Sequence, residues 1–110
     1  MHKTTVNHQS LVLLFAALGD PVRIHLVDKL SDGQGHSITE LVEGFKMSRQ
    51  AVRKHLQALE LAKLVKSLKL GREQHFHLMR DKFTEAQEYF IEVSRQWDEN
   101  LDRLKRYVDE

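Results

Sequence analysis

The chain of 110 residues contains no cysteine. Without cysteine it can form no disulfide, cannot sense redox state through a thiol and cannot bind a metal through thiolates. Three common ways of stabilising or regulating a small protein are therefore excluded from the start.

Long apolar runs are also missing. No stretch of eighteen consecutive apolar residues occurs, and the first ten residues, MHKTTVNHQS, lack the charged-then-apolar pattern of a secretory signal. We therefore expect no membrane partner and a cytoplasmic location. The length predicts a single domain, 1–110, with one modest core, and for a chain this short with an extended terminal helix we expect oligomerisation.

Signatures of catalysis are absent as well. The sequence has no glycine-rich phosphate loop, no nucleophile elbow and no pair of carboxylates placed by an identifiable pocket. The carboxylates near its C-terminus are typical of a solvated helix face, with arginines such as Arg95 and Arg103 at helical spacing. We expect neither an enzyme nor a cofactor.

The net charge of +1 conceals a strong segregation of charge along the chain. Residues 46–72 hold eight Lys or Arg against one acid, Glu60, a local charge of +7, whereas residues 80–110 hold six basic and nine acidic groups, a charge of −3. A solvated, charge-rich face is the ordinary explanation of a basic run. Concentrated within one segment, however, this charge is typical of a surface that meets phosphates.

Residues 38–61 have the pattern of a helix-turn-helix. Ser37 followed by Glu40 predicts a capping box for a helix from Ile38 to about Gly44, and Ser48 is the expected N-cap of a second helix that ends near Leu61. At 100° per residue the second helix has an apolar arc and a polar arc. The apolar arc contains Val52, Leu56 and Leu59; the polar arc contains Arg49, Gln50, Arg53, Lys54 and Gln57. A helix of this kind is suited to a DNA major groove.

Two helices are predicted before this segment. The stretch from Asn7 to Leu18 is apolar around almost its whole circumference, so it must be covered on more than one side. Asp20 is the expected N-cap of the next helix, with Pro21 in its first turn. A glycine-bearing loop, 31–36, then leads to the helix-turn-helix.

Two elements are predicted after it. Residues 64–79 contain two short strand-like runs separated by Gly71 and Arg72, which predicts a hairpin, or wing. Residues 81–108 carry apolar side chains at spacings of three and four, which predicts a long dimerisation helix. The alternative is that Trp97 and Leu101 pack on the first helix of the same chain. The predicted dimer interface combines the first and last helices: Leu11, Leu14, Phe15, Phe90, Val93, Trp97, Leu101 and Leu104.

The order of elements and several local strings resemble the ArsR/SmtB family of bacterial winged helix-turn-helix repressors. The strings are LGDPVRIHL (18–26), MSRQAVRKHLQAL (47–59), the hairpin entry 61–66 and the wing sequence GREQHFHL. The resemblance implies a mainly α fold with a small β-hairpin, and a homodimeric repressor that binds double-stranded DNA at an imperfect inverted repeat.

This chain departs from the family pattern at two places. Lys63 occupies the position where such proteins usually have glycine, so a non-glycine residue is expected to adopt a left-handed conformation there. The metal ligands of the metal-sensing members are also absent, because SITELVEGF contains no cysteine and the terminal helix contains no histidine. Neither of the family's usual metal sites is present in this sequence.

The seven histidines do not replace those ligands. His75 and His77 share one face of a predicted strand and supply at most two ligands, where a zinc site needs three or four. His36 lies in the predicted loop, and His2 and His8 lie in the N-terminal tail. His55 lies at the packing edge of the second helix of the helix-turn-helix, the recognition helix, and is expected to make a structural hydrogen bond. We expect no metal site.

The predicted DNA contacts divide into two sets. Bases are expected to be contacted by Arg49, Gln50 and Arg53, because arginine suits guanine and glutamine suits adenine; Lys54 lies on the same polar arc. Phosphates are expected to be contacted by Ser37, Thr39, Lys46, Ser48, Lys69 and Arg72. Two alternatives remain: a winged helix that binds an acidic protein partner, and a repressor that responds to a metal or small molecule at an unrecognised site. An effector, if there is one, is not identified by the sequence.

Overall fold

The structure is a computed structural model that describes residues 8–109. The predicted start at Asn7, and His2, lie outside the described residues. The elements in chain order are α1 (His8–Leu18), α2 (Pro21–Leu30), β1 (His36–Ser37), α3 (Ile38–Val42), α4 (Arg49–Leu61), β2 (Val65–Leu70), β3 (Glu73–Leu78) and α5 (Arg80–Asp109). The predicted fold class, mainly α with a small β-hairpin, is confirmed.

Side chains predicted as N-caps begin three of the helices. Asp20 accepts hydrogen bonds from the backbone amides of the first turn of α2, and Ser48 accepts one from the amide of Ala51 in α4. Ser37 and Glu40 form the expected capping box at α3. Helix α3 ends at Val42, two residues earlier than predicted, because the chain turns at Gly44, whose φ of 88° is left-handed.

Lys63 has the expected left-handed backbone, with φ of 60°. Its amide donates to the carbonyl of Glu60, and the next amide, that of Leu64, donates to the carbonyl of Leu59 at 2.9 Å. These two bonds form a Schellman motif, the arrangement that ends many helices at a glycine. Here lysine takes the position, so the end of α4 carries a steric strain that glycine would not have.

The sheet has three antiparallel strands in the order β1-β3-β2. The predicted hairpin is present, and Gly71 turns it with a φ of 66°. Strand β1 was not predicted, since His36 was assigned to the loop and Ser37 to the N-cap of the following helix. It exists because His36 pairs with Phe76 and Ser37 with His75. A two-residue strand has too few positions to show alternation.

The core lies between the helices and the inner face of the sheet, and leucines dominate it. Leu11 and Leu14 are 3% and 1% exposed within it. This corrects their assignment to the dimer interface, because neither side chain is available to a second subunit. The outer side of α1 remains open, and Val12, Leu13 and Phe15 are exposed there.

Among residues 8–109, helix α5 packs on the other elements through its first turns, where Ala86 is buried and Phe83 and Tyr89 pack against the core. The helix then projects outward, and the longest dimension of the molecule is 68 Å. Trp97 is 65% exposed and Leu101 37%. Packing of these two side chains in the core of their own chain is therefore excluded.

Within residues 8–109, no single helix is long and apolar enough to cross a membrane. Helices α1 and α2 pass a test of length and composition only as a pair, and the pair is bent by 99°. Both helices bury leucines in the core.

Candidate nucleic-acid interface

Helix α4 presents its polar arc to the outside. Val52, Leu56 and Leu59 are buried, as the apolar arc predicts. On the opposite side, Arg49, Gln50, Arg53 and Lys54 are all exposed. The amphipathic pattern thus fixes the rotation of the helix about its axis and leaves a row of long polar side chains free to contact a partner.

The inner face of the wing changes character along its length. Val65 and Phe76 are buried where the strands leave the core, and further out the cross-strand pair on the same face is Lys69 opposite Gln74. Between them, the Ser67 hydroxyl donates to Glu60 Oε2 of α4 at 3.0 Å. The base of the wing is held by apolar packing, and its tip carries polar groups towards α4.

The start of α3, the first turns of α4 and the wing tip enclose a cleft of about 600 Å³. It brings together six of the ten residues predicted to contact DNA: Ser37, Thr39, Arg49, Arg53, Lys69 and Arg72. The other four lie outside the cleft: Lys46 and Ser48 in the turn, and Gln50 and Lys54 on the exposed side of α4. The four basic side chains in the cleft come from two separate elements, and this concentrates positive charge at one concave surface.

Two arginines in the cleft are held by neighbouring polar groups. Arg49 Nη2 donates to the hydroxyl of Thr39 on α3. Arg53 Nη1 donates to Gln74 Oε1 on β3 at 3.2 Å. Each guanidinium has further N–H groups with which to bind a second partner. The arginines are therefore oriented without being neutralised, since both acceptors are uncharged.

The two candidate serines are already engaged. The hydroxyl of Ser37 is buried, accepts from the amide of Glu40 and donates to the carboxylate of the same residue. The hydroxyl of Ser48 accepts from the amide of Ala51 at 3.1 Å. Both side chains fix helix starts, so their phosphate contacts remain predictions that would require the hydroxyls to serve two partners.

Gln74 lines the cleft but was missed by the sequence analysis, as were Ile38, Ser67 and Glu73. The signal was present in the alternation of β3, which places Gln74 on the same face as the buried Phe76. Its link to Arg53 spans 21 positions of the chain. Contacts of this range depend on how the wing packs on α4, which the local pattern does not contain.

His36 connects α3 to the loop that follows α2. Its Nε2 lies 2.7 Å from Asp32 Oδ2, and its Nδ1 lies 3.0 Å from Glu40 Oε2. The hydrogen bonds to Glu40 and Asp32 raise the pKa of His36 above its ordinary value. The bond from His36 in turn lowers the pKa of Glu40, and the backbone amide of Gln34, followed by His36, lowers the pKa of Asp32. The sequence analysis did not foresee this triad.

His55 makes the structural hydrogen bond expected of it. Its Nδ1 accepts from Arg23 Nε at 3.1 Å and lies 3.9 Å from Asp20 Oδ1, the cap of α2. This contact connects α2 to the recognition helix. In the part of the chain that the structure describes, no group of three or more His, Asp or Glu side chains is arranged to hold a metal ion.

A second surface runs along α1 and α5. Phe15 and Phe90 lie with ring centroids 5.6 Å apart, at an open apolar groove of about 730 Å³ between the two helices. Beyond the groove the apolar stripe of α5 continues without cover from any other element of the described residues. Its exposed members include Phe90, Val93, Trp97, Leu101, Leu104 and Val108.

A helix-turn-helix followed by a two-stranded wing, with basic side chains shared between them, defines the class of winged helix-turn-helix DNA-binding domains. A family model described as a helix-turn-helix domain matches residues 18–67. An ArsR-like transcriptional regulator from Rhodococcus sp. RHA1 is 31% identical over 90% of this chain and 92% of its own, with a TM-score of 0.79. The chain belongs to the ArsR family of transcriptional regulators.

Other relatives agree with this assignment. The crystal structure of another ArsR family transcriptional regulator is 26% identical, covers 89% of this chain and 97% of its own, and has a TM-score of 0.77. An uncharacterised HTH-type transcriptional regulator of Methanocaldococcus jannaschii is 25% identical over 66% of this chain and 81% of its own. A homodimeric winged helix-turn-helix DNA-binding domain from Mycobacterium bovis, 20% identical over 86% and 84% of the two chains, shares the fold with a TM-score of 0.62. The ArsR family is a family of DNA-binding transcriptional regulators, and this is not an enzyme class.

Proposed function

We propose that this regulator is a homodimeric repressor that binds an inverted-repeat operator in double-stranded DNA and works without a metal. The observation that carries the proposal is the basic cleft formed by α3, α4 and the wing. In functional terms, residues 38–61 are the helix-turn-helix, 64–79 the wing and 81–108 the dimerisation helix of one domain.

The polar arc of α4 enters the major groove in this proposal. Arg49, Gln50 and Arg53 contact base edges there, and Lys54 lies beside them on the same exposed side. The wing tip, with Lys69 and Arg72, follows the phosphate backbone, and so do Thr39 and Lys46. Ser37 and Ser48 act mainly through the helices whose first turns they cap.

The second surface supplies the dimer contact. A helix with a long uncovered apolar stripe requires a partner helix, and a second copy supplies an identical stripe across a two-fold axis. The contact is made by Phe15, Phe90, Val93, Trp97, Leu101 and Leu104, all of which are exposed in the single chain. The Mycobacterium bovis domain, which has the same fold, is homodimeric, and this supports a homodimer here.

Two-fold symmetry makes the dimer part of DNA recognition. Two copies of α4 must enter successive major grooves on one side of the duplex, which requires a separation of about 34–36 Å. The proposed operator therefore has two half-sites related by inversion. Bound near a promoter, the dimer would obstruct transcription, which is the repressor role that the family resemblance implies.

Independence from metals is supported by the residue types in the chain. Thiolate ligands are impossible without cysteine, and α5 contains no histidine where metal-sensing relatives carry ligands. Equilibrium dialysis tests the proposed independence from metals. We expect no stoichiometric zinc or nickel binding that alters DNA affinity. Tight metal binding that abolishes DNA affinity would contradict it.

The central test is selection of bound sequences from a random duplex library, followed by gel shifts and sedimentation at the same protein concentrations. We expect an enriched inverted repeat bound by two copies of the chain. Enrichment of a single half-site by monomers would contradict the dimer, and a protein that binds no duplex while remaining folded would contradict the DNA-binding role of the cleft.

A further inference from the structure

We propose that Gln74 of the wing is a positioning residue for Arg53 of the recognition helix, so that the wing contributes to sequence selectivity without contacting a base. The inference rests on the proposed function, because it requires Arg53 to contact DNA. The observation is the hydrogen bond from Arg53 Nη1 to Gln74 Oε1 at 3.2 Å.

The wing and α4 are joined along one face of the helix. Arg53 and Glu60 are seven residues apart, which places them on the same side of α4. Glu60 accepts from Ser67 of β2 at 3.0 Å, and Arg53 donates to Gln74 of β3. Two polar links therefore connect the helix to both wing strands, one near the base of the wing and one near its tip.

The position of Gln74 is fixed by the core. Phe76, two residues further along β3, is 3% exposed and lies on the same strand face. A slip of one residue in the strand would expose Phe76 and turn Gln74 away from α4. The pairing of Lys69 with Gln74 and of Ser67 with Phe76 sets this register. The register thus holds the backbone of Gln74 on the strand face from which its amide oxygen reaches Arg53.

The chemistry of the acceptor also suits a positioning role. A guanidinium has five N–H donors, and one bond to a neutral amide leaves the positive charge and the other donors available to a base or phosphate. A carboxylate in that place would bind more strongly but cancel the charge. The neighbouring Glu73 also lines the cleft, but its Oε2 lies 3.1 Å from His75 Nε2 and no hydrogen bond joins it to Arg53 in the described residues.

Holding the side chain in one orientation favours a single base partner over several. Arg53 is exposed, and a free arginine on a helix surface can reach more than one base edge or a phosphate. With Nη1 held towards β3, the other N–H groups of Arg53 point in a restricted set of directions. Gln74 therefore affects which base is preferred more than how tightly DNA is bound.

The test starts from the operator selected by the wild-type protein. Arg53→Ala identifies the base position that depends on this arginine, and Gln74→Met and Gln74→Glu are then measured on the operator and on its single-base variants. Methionine has a similar length without an acceptor, whereas glutamate keeps the acceptor. Gln96→Met, the same chemical change on exposed α5, is the control, and we expect it to change no preference.

Gln74→Met is expected to reduce the base preference at the Arg53-dependent position on the order of fivefold, as for one lost hydrogen bond, with other positions and the salt dependence unchanged. Gln74→Glu should retain that preference while binding all sequences more weakly, because it adds a negative charge to the cleft. This rescue by the acceptor is not expected if Gln74 only supports the fold of the wing.

Two results would overturn the inference while leaving the proposed function intact: an unchanged base preference in Gln74→Met, or an equal loss at every position. The inference also fails if Arg53→Ala changes no base preference although the wild-type protein selects an operator. Failure of the wild-type protein to select any sequence would instead refute the proposed function itself, and the inference with it.

Discussion

His36 Nδ1 lies 3.0 Å from Glu40 Oε2, and the other oxygen of that carboxylate, Oε1, closes the capping box of α3. One side chain therefore serves both the start of the helix and the loop before it. On its other nitrogen, His36 is bonded to Asp32 of that loop. His36 thus contacts the start of α3, the helix whose Thr39 hydroxyl accepts a hydrogen bond from Arg49.

The first prediction concerns the pH dependence of stability. Because its pKa is raised on folding, His36 stabilises the protein fully below the ordinary histidine pKa of about 6.5, and the contribution is lost as pH rises through the folded pKa. The lowered pKa values of Asp32 and Glu40 act oppositely, since their contributions are present above the ordinary carboxyl values and are lost as pH falls through the folded ones. The triad is expected to stabilise most between about pH 5 and 6.5.

Urea unfolding of the wild-type protein and of His36→Gln at pH 5.5 and 8.5 measures this effect. We expect the difference in unfolding free energy between the two proteins to be larger at pH 5.5. The remaining histidines are common to both and cancel in the comparison. Asp32→Asn, which removes one partner of His36, should reduce the pH dependence; a difference that is equal at both pH values would disprove the role of the triad.

The second prediction uses the strain at Lys63, the residue with φ of 60°. Lys63→Gly should raise the free energy of unfolding by about 0.5–1 kcal/mol. A left-handed non-glycine residue costs about 1–2 kcal/mol, which the substitution removes. The greater freedom of glycine in the unfolded chain offsets about 0.4–1 kcal/mol of that gain. Urea unfolding at one protein concentration measures it. Lys63→Ala keeps the Cβ atom and should give no gain; an equal gain in both variants would mean that the lysine side chain, not the backbone, is unfavourable.

The third prediction compares two lysines of the same strand. Lys69 faces the cleft, whereas Lys66 lies on the opposite face of β2. Lys69→Ala should weaken binding to all DNA sequences alike and reduce the slope of log K against log salt by about 1. Lys66→Ala removes the same charge and should change that slope less. Fluorescence anisotropy titrations at several salt concentrations measure the two slopes. Equal slopes for the two variants would mean that Lys69 does not make the phosphate contact.

The sequence predicted those features that depend on neighbours along the chain. Asp20, Ser37 and Ser48 cap the helices expected of them, since a cap is a contact over two or three residues. The amphipathic arcs of α4 follow directly from spacing. The left-handed conformation of Lys63 was identifiable because the resembling family usually has glycine at that position.

Features that depend on packing between distant segments were missed. Strand β1 forms only because β3 lies beside it, and the bond from Arg53 to Gln74 requires the wing to fold against α4. The burial of Leu11 has a similar explanation: α1 is apolar on all sides, so its sequence does not state which side faces the core. The wrong assignment of that side chain came from a pattern without a preferred face.

The last prediction concerns the stripe of α5. Trp97 is 65% exposed in the single chain, so Trp97→Asp should leave the fold of that chain intact while placing a carboxylate within the proposed dimer contact. Sedimentation should then show monomers, with an unchanged helical signal in circular dichroism. Gln96→Asp is the matched control, because it adds the same carboxylate about 100° around the helix from Trp97, and it should remain dimeric.

Loss of the dimer should also reduce operator affinity although α4 is untouched. Two linked half-site contacts bind more tightly than one by about 10²–10⁴, so the monomeric variant should lose affinity for the full operator within that range and bind a single half-site as the wild-type protein does. A monomer that keeps full operator affinity would separate DNA binding from dimerisation. A Trp97→Asp protein that remains dimeric would move the contact to the outer face of α1, where Val12 and Leu13 are exposed.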